Sequence, residues 1–264
     1  MSEVVLLKLG GSLITDKARP ETPRREVLIR LAGEVARNAA ERPFRLILGH
    51  GSGSFGHVAA QRFDLASGIR SVDQLPGISF TQERAAALHR LVIAALAEAG
   101  ALPFSIAPSS CLVAAGGEPI AFAAESLLLA LERGLLPVLY GDVVMDRERG
   151  AAICSTEKLF DFAVRRLLDR GWTVRRVIWL GETDGLYDTS GKTVPHLSAA
   201  DFAAAVQAIG APAGTDVTGG MRHRVETALA LARLGVPSLL ANGLIAGLLE
   251  RALRGEEVPG TVVL

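Results

Sequence analysis

The stretch Leu46–His57 reads LILGHGSGSFGH. A short apolar run, Leu46–Leu48, passes directly into a loop carrying Gly49, Gly51, Gly53 and Gly56, and a helical pattern follows over about 58–65. Strand, glycine loop and helix in that order are half of a βαβ unit. The same grammar extends in both directions. Upstream, Val4–Leu9 is a β-rich run ending at Gly10–Gly11, and Thr22–Pro23 reads as an N-cap with proline at the first helical position. Val27, Leu28, Leu31 and Val35 continue at helical spacing.

Downstream, a helix is expected over 81–99, with Leu88, Leu91, Val92, Ala95 and Leu96 as its apolar stripe. That stripe suits a core face, a partner-binding face or the wall of an apolar pocket. Strands follow at Phe104–Ala107, Leu136–Tyr140, Arg176–Leu180, Pro237–Ala241 and Val262–Leu264, with helices at Ala123–Glu132, 156–169 and Gly219–Leu234. Val143–Met145 and Ala151–Cys154 form a hairpin around Asp146–Gly150, and Ser198–Asp201 resembles a capping box. Strands alternating with long helices imply an α/β fold, a three-layer αβα sandwich around a mainly parallel sheet. Ligands of such sheets bind beyond the carboxyl ends of the strands, where the glycine-rich segments fall.

Composition narrows the function. Lys plus Arg and Asp plus Glu both number 28, so the chain has no basic excess of the kind nucleic-acid binders carry. Anionic ligands must therefore be met by a few placed cations. Hydrophobic residues at 49% predict a large packed core in one domain, 1–264. No signal peptide or membrane span is read in the chain. Cys111 and Cys154 form no metal-binding pattern and fit small buried hydrophobes in a reducing, cytoplasmic setting.

Six segments carry chemistry. In Lys8-Leu9-Gly10-Gly11-Ser12, a lysine near the end of a buried strand demands an anion, and two glycines let backbone N–H groups reach a phosphate. Lys17 joins this site if its loop folds back. Gly51-x-Gly53-x-x-Gly56 opens a helix, which suits either a phosphate or a dinucleotide. His57 can donate to a second phosphate, a feature a dinucleotide loop does not need. Gly141–Asp142 closes a strand with a carboxylate that can meet Mg²⁺ through water or orient a lysine. Ser155-Thr156-Glu157 opens a helix as an N-cap. Thr183–Asp188 carries two carboxylates, and Asp216–Met221, with Arg224 a turn later, forms a second phosphate cradle.

Together KLGGS, the glycine loop, TDGLYD and DVTGGM occur in an order that resembles the amino acid kinase superfamily over essentially the whole chain. Within it, GSFGH at Gly53–His57, the Thr15–Lys17 segment and DVTGGM resemble the isopentenyl phosphate kinases, and fosfomycin kinases are similar. The resemblance implies ATP and Mg²⁺, a small phosphate substrate, a homodimer and in-line transfer from a C-terminal nucleotide lobe (about 176–264) to an N-terminal acceptor lobe (about 1–175). It implies that Lys8, Lys17, His57 and Arg224 are catalytic. Gly10, Gly11, Ser12, Ser52, Gly53, Gly219 and Gly220 would cradle ATP phosphates, and Asp184 would face the nucleotide. Gly51, Ser52, Gly56, His57 and Thr156 would hold the acceptor. Ser52 stands where the family has a middle glycine, Ser155-Thr156-Glu157 where it has SGD, and Arg224 where it has lysine. A phosphonate or carboxylate acceptor, a nicotinamide oxidoreductase and a non-catalytic anion sensor stand as alternatives.

Overall fold

The computed structural model describes residues 3–37, 39, 42–198, 200 and 220–264. Its frame is an eight-stranded sheet of β1 (Glu3–Leu9), β2 (Arg45–His50), β3 (Pro103–Ser105), β6 (Leu136–Tyr140), β9 (Thr173–Gly181), β10 (His196–Leu197), β11 (Ser238–Asn242) and β12 (Thr261–Val263). The order is β10-β12-β11-β9-β1-β2-β6-β3, and β12 alone runs antiparallel to its neighbour β11. A second, four-stranded sheet joins β5 (Glu118–Phe122), β4 (Leu112–Ala115), β7 (Asp142–Asp146) and β8 (Gly150–Cys154). The β7–β8 hairpin is the one expected. The β4–β5 hairpin, turned by Gly116–Gly117 at positive φ, was not.

Period two explains the central strand. Val4 and Leu6 enter the core with Trp179, Phe160 and Val225, while Val5, Leu7 and Leu9 enter the opposite core with Leu48, Leu88 and Val92. The first core lies under α6 (Glu125–Glu132), α7 (Thr156–Asp169) and α8 (Gly220–Ala232). The second lies under α2 (Arg25–Ala36), α4 (Leu75–Glu98) and α9 (Leu248–Arg254). A strand covered on both faces has no polar side, which is why Val4–Leu7 reads as an unbroken apolar run. The three-layer αβα sandwich is thus the observed architecture. The remaining helices are the short α1 (Gly11–Ile14) and α5 (Pro108–Cys111) and the glycine-loop helix α3 (Gly53–Arg62).

Several boundaries differ from expectation. Helix α2 starts at Arg25 because Pro23 bridges Thr15 and the Thr22 carbonyl accepts from the Asp16 N–H, so the Thr22–Pro23 pair belongs to an antiparallel bridge and not to the helix. Helix α4 begins six residues before Thr81, with proline in its first turn. Its stripe is core: Leu88 and Val92 are fully buried, and Leu96 nearly so. Helix α9 went unread in the sequence. Asp201 of the Ser198–Asp201 capping box and the whole Asp216–Gly219 cradle lie outside the described residues. Burial pushes the Cys111 thiol to about 11 and Cys154 to about 12, so both stay protonated as expected of inert thiols.

Candidate active site

Lys8 shares the parity of Val4 and Leu6, so it points into the layer occupied by α7. It is 5% exposed, and its ammonium donates to Glu157, on the first turn of that helix. Burial lowers the Lys8 pKa, repulsion from Arg224 and Lys17 adds to this, and attraction to Glu157 opposes it. Burial would raise Glu157, but Lys8 and Arg224 outweigh it and hold the carboxylate below its ordinary range. The sequence contained this partner: a lysine inside a strand requires an anion, and Glu157 occupies the altered SGD segment. What looked like a departure on the acceptor side is the counter-charge of Lys8.

Gly49 pairs with Lys8 in the neighbouring strand, and a Cβ there would lie 2.6 Å from both Phe160 and Thr156. This missing side chain lets α7 settle onto β2. Thr156 is 1% exposed and donates its hydroxyl to the His50 carbonyl at 2.7 Å, which also accepts the Gly141 N–H at 2.9 Å. Thr156 therefore fixes the end of β2 with its side chain. Ser155 caps α7 as expected, accepting from the Lys158 N–H at 3.4 Å.

The two glycine loops touch backbone to backbone. A Cβ on Gly11 would lie 2.6 Å from the Gly53 nitrogen, and one on Gly51 would lie 2.8 Å from the Gly11 nitrogen. Thr15 stitches them together, donating to the Gly11 carbonyl at 2.7 Å and accepting the Ser54 N–H at 3.0 Å. Helix α3 begins at Gly53, not beyond Gly56, so His57 is the fifth residue of the helix rather than part of its first turn. The starts of α1 and α3 consequently lie side by side at the carboxyl ends of β1 and β2. The N–H groups of Gly11, Ser12, Ser52 and Gly53 find no acceptor among the described residues, the arrangement that makes paired helix N-termini bind anions. The N–H groups of Gly10, Gly51 and Gly56 are already given to Leu180, Leu9 and Ser52. These three glycines contribute space.

Arg224, 9% exposed on α8, lies over the ends of β1 and β9. A Cβ on Gly181 would lie 2.6 Å from its Nη1, and one on Gly10 would lie 3.6 Å from its Nη2. Gly181 was not singled out in the sequence, yet it clears the place for the guanidinium. Asp184, half-buried beyond β9, accepts from the Asn242 amide at 2.9 Å. Lys17 is exposed on its loop and within electrostatic reach of Lys8. Gly220 opens α8, and Gly219 lies outside the described residues. Asp142 is turned elsewhere: it accepts the N–H groups of Val143 at 2.8 Å and Ser109 at 3.1 Å, and burial raises its pKa.

Cations and N–H groups without an acceptor among the described residues thus gather at the carboxyl edge of a parallel sheet. A family model described as "Amino acid kinase family" matches residues 3–242. The chain belongs to the amino acid kinase family. Curated members similar to it include the isopentenyl phosphate kinases of Methanothermobacter thermautotrophicus, 36% identical, and Haloferax volcanii, 35% identical, each alignment covering 98% of both chains. A solved structure titled "X-ray structures of isopentenyl phosphate kinase" superimposes with a TM-score of 0.82 at 31% identity, covering 98% of this chain and 99% of that one. Membership of this kinase family rules against the dinucleotide reading of the Gly51–Gly56 loop.

Proposed function

We propose that this chain transfers the γ-phosphoryl group of ATP to isopentenyl phosphate, giving isopentenyl diphosphate. The observation that carries the reading is the convergence of Lys8, Arg224 and the starts of α1 and α3 at the carboxyl ends of β1 and β2. Relatives of that name, similar across nearly the full chain, support the choice of acceptor.

ATP and a phosphomonoester together bring about six negative charges, taking the phosphate pKa as near 6. Phosphoryl transfer asks the protein to position these groups and neutralise them. Lys8, held by Glu157, meets the transferring group, with Lys17 on the loop above and Arg224 at the nucleotide side. The N–H groups of Gly11, Ser12, Ser52 and Gly53 cradle phosphate oxygens, with Gly219 and Gly220 at the nucleotide. Asp184 faces the nucleoside. The acceptor phosphate sits by Gly51, Gly56 and His57, with Thr156 supporting the loop. An ionised phosphate needs no base, so transfer is direct and in line, without a phosphoenzyme.

Mg²⁺ bound with the nucleotide would supply further neutralisation of the phosphates. Among the described residues, no group of three His, Cys, Asp or Glu could hold a metal ion. Val58 on α3 is an exposed apolar side chain that the acceptor tail can meet. The reading carries with it a cytoplasmic homodimer, which light scattering on the purified chain checks in part.

The test is ADP release with isopentenyl phosphate, dimethylallyl phosphate, fosfomycin and amino-acid carboxylates as acceptors. Isopentenyl phosphate should have the highest kcat/KM, and a preference for a carboxylate overturns the proposal. His57→Ala should lower turnover of the phosphate acceptor at least tenfold, about 1.4 kcal/mol.

A further inference from the structure

The kinase reaction, as derived above, leaves a buried pair of histidines unused. His50, at the end of β2, is fully buried, and His89, on α4, is 4% exposed. Their rings stack with Tyr140 between β2 and α4, at centroid distances of 5.7 Å for His50 and 4.2 Å for His89. Four residues form a chain. Ser105 Oγ lies 2.8 Å from His89 Nε2, His89 Nδ1 lies 3.0 Å from His50 Nε2, and His50 Nδ1 lies 3.1 Å from the Gly51 carbonyl.

The last member sets the direction of all three bonds. A carbonyl can only accept, so His50 Nδ1 carries a proton. A neutral His50 then accepts at Nε2 from His89 Nδ1–H, and His89 accepts at Nε2 from the Ser105 hydroxyl. Burial supports the one-proton state, lowering His50 to about 4 and His89 to about 3. Lys8 beside His50 and Arg90 beside His89 push the same way.

The consequence falls on the phosphate loop. Gly51 lacks a Cβ, so little restrains rotation of the peptide that follows it. In a trans peptide the carbonyl and the next N–H point in opposite directions. Tethering the Gly51 carbonyl inward to His50 therefore turns the Ser52 N–H outward, and that N–H is one of the four without an acceptor among the described residues.

We infer that His50, His89 and Ser105 are positioning residues, a buried hydrogen-bond relay that holds the Gly51–Ser52 peptide with its N–H aimed at a bound phosphate. The inference rests on the proposed phosphoryl-transfer site and adds three residues that touch neither substrate.

The test compares His50→Leu, which removes the donor, with His50→Asn, whose side-chain amide nitrogen falls near the place of Nδ1. His89→Phe, which keeps the ring stack and removes the donor to His50, is measured beside them. Kinetics with ATP and isopentenyl phosphate should show His50→Leu down roughly tenfold to a hundredfold in kcat/KM, less than the roughly hundredfold to thousandfold cost of a deleted oxyanion donor because the Ser52 N–H is misaimed and not removed. His50→Asn should stay within about threefold of wild type, and His89→Phe should fall between. In ¹⁵N-labelled protein, the Ser52 amide proton should move downfield on saturation with the non-hydrolysable analogue AMP-PNP and isopentenyl phosphate in wild type and His50→Asn, and stay unmoved in His50→Leu. If His50→Leu fails to fold, His89→Phe carries the comparison. Equal losses in the Leu and Asn variants, or an unchanged Ser52 shift on ligand binding in wild type, overturn the relay. A wild-type protein that turns over no phosphate acceptor overturns the proposed function instead.

Discussion

Replacing Glu157 by glutamine keeps the shape of the side chain and removes its charge. In the wild-type site, Lys8 is buried, with Arg224 and Lys17 as repelling neighbours and Glu157 as the attracting carboxylate. Removing one member of a buried pair costs about 3–5 kcal/mol, because the other charge is left uncompensated. Lys8 can escape part of that by releasing its proton, a shift burial already favours, so the lower end applies: about 3 kcal/mol. For a chain of this size that corresponds to a fall in Tm of roughly 6–12 °C. The double variant Lys8→Met/Glu157→Gln carries neither charge and should melt well above Glu157→Gln alone, though it remains inactive. ATP should raise the Tm of Glu157→Gln more than that of wild type, since its phosphates supply the missing anion. The pH dependence follows from the sign of the shift. Glu157 is depressed in the folded state, so its contribution is complete above its ordinary value of 4.5 and is lost as pH falls through the lower folded value. Differential scanning fluorimetry at pH 7 and pH 4 measures each quantity. A Glu157→Gln protein melting within 2 °C of wild type, or a double variant no more stable than the single, refutes the reasoning.

Gly11→Ala places a methyl group 2.6 Å from the Gly53 nitrogen, where only backbone can yield, so the two phosphate loops must part. ATP affinity by calorimetry should fall at least tenfold, and kcat/KM about a hundredfold. Glu34→Ala removes a fully buried carboxylate that accepts from Arg30 at 2.6 Å and from the Gly247 and Glu250 N–H groups at 3.1 and 3.3 Å. It should cost about 3 kcal/mol in urea unfolding and leave kcat/KM unchanged, since it anchors α9 away from the cleft. Leu88→Ala should cost about 2–5 kcal/mol while the acceptor KM stays at the wild-type value, because Leu88 is core and not tail pocket. Asp146→Asn disturbs the acceptor of four N–H groups in the β4–β5 and β7–β8 turns, and its Tm should drop by several degrees with ATP affinity intact.

The sites legible in sequence are those whose meaning is local. Gly10–Gly11 and Gly51–Gly56 announce close backbone approach because no other residue permits it. The apolar parity of Val4–Leu9 announces a strand covered on both faces. Lys8 announced an anion without saying which. The element boundaries that slipped were decided by neighbours: α3 could start at Gly53 because Thr15, 39 residues away, receives the Ser54 N–H.

The sequence by itself determined the alternation of strands and helices, the glycine loops at strand ends and the need for an anion beside Lys8, since period, φ freedom and charge type belong to individual residues and their immediate neighbours. The tertiary structure alone decided that Glu157 meets Lys8 across 149 positions, that Arg224 rests over Gly10 and Gly181, and that His89 reaches the phosphate loop through His50. Each of those pairings depends on which strand lies beside which and which helix covers it, and that order is fixed by burial of the whole sheet rather than by any one segment.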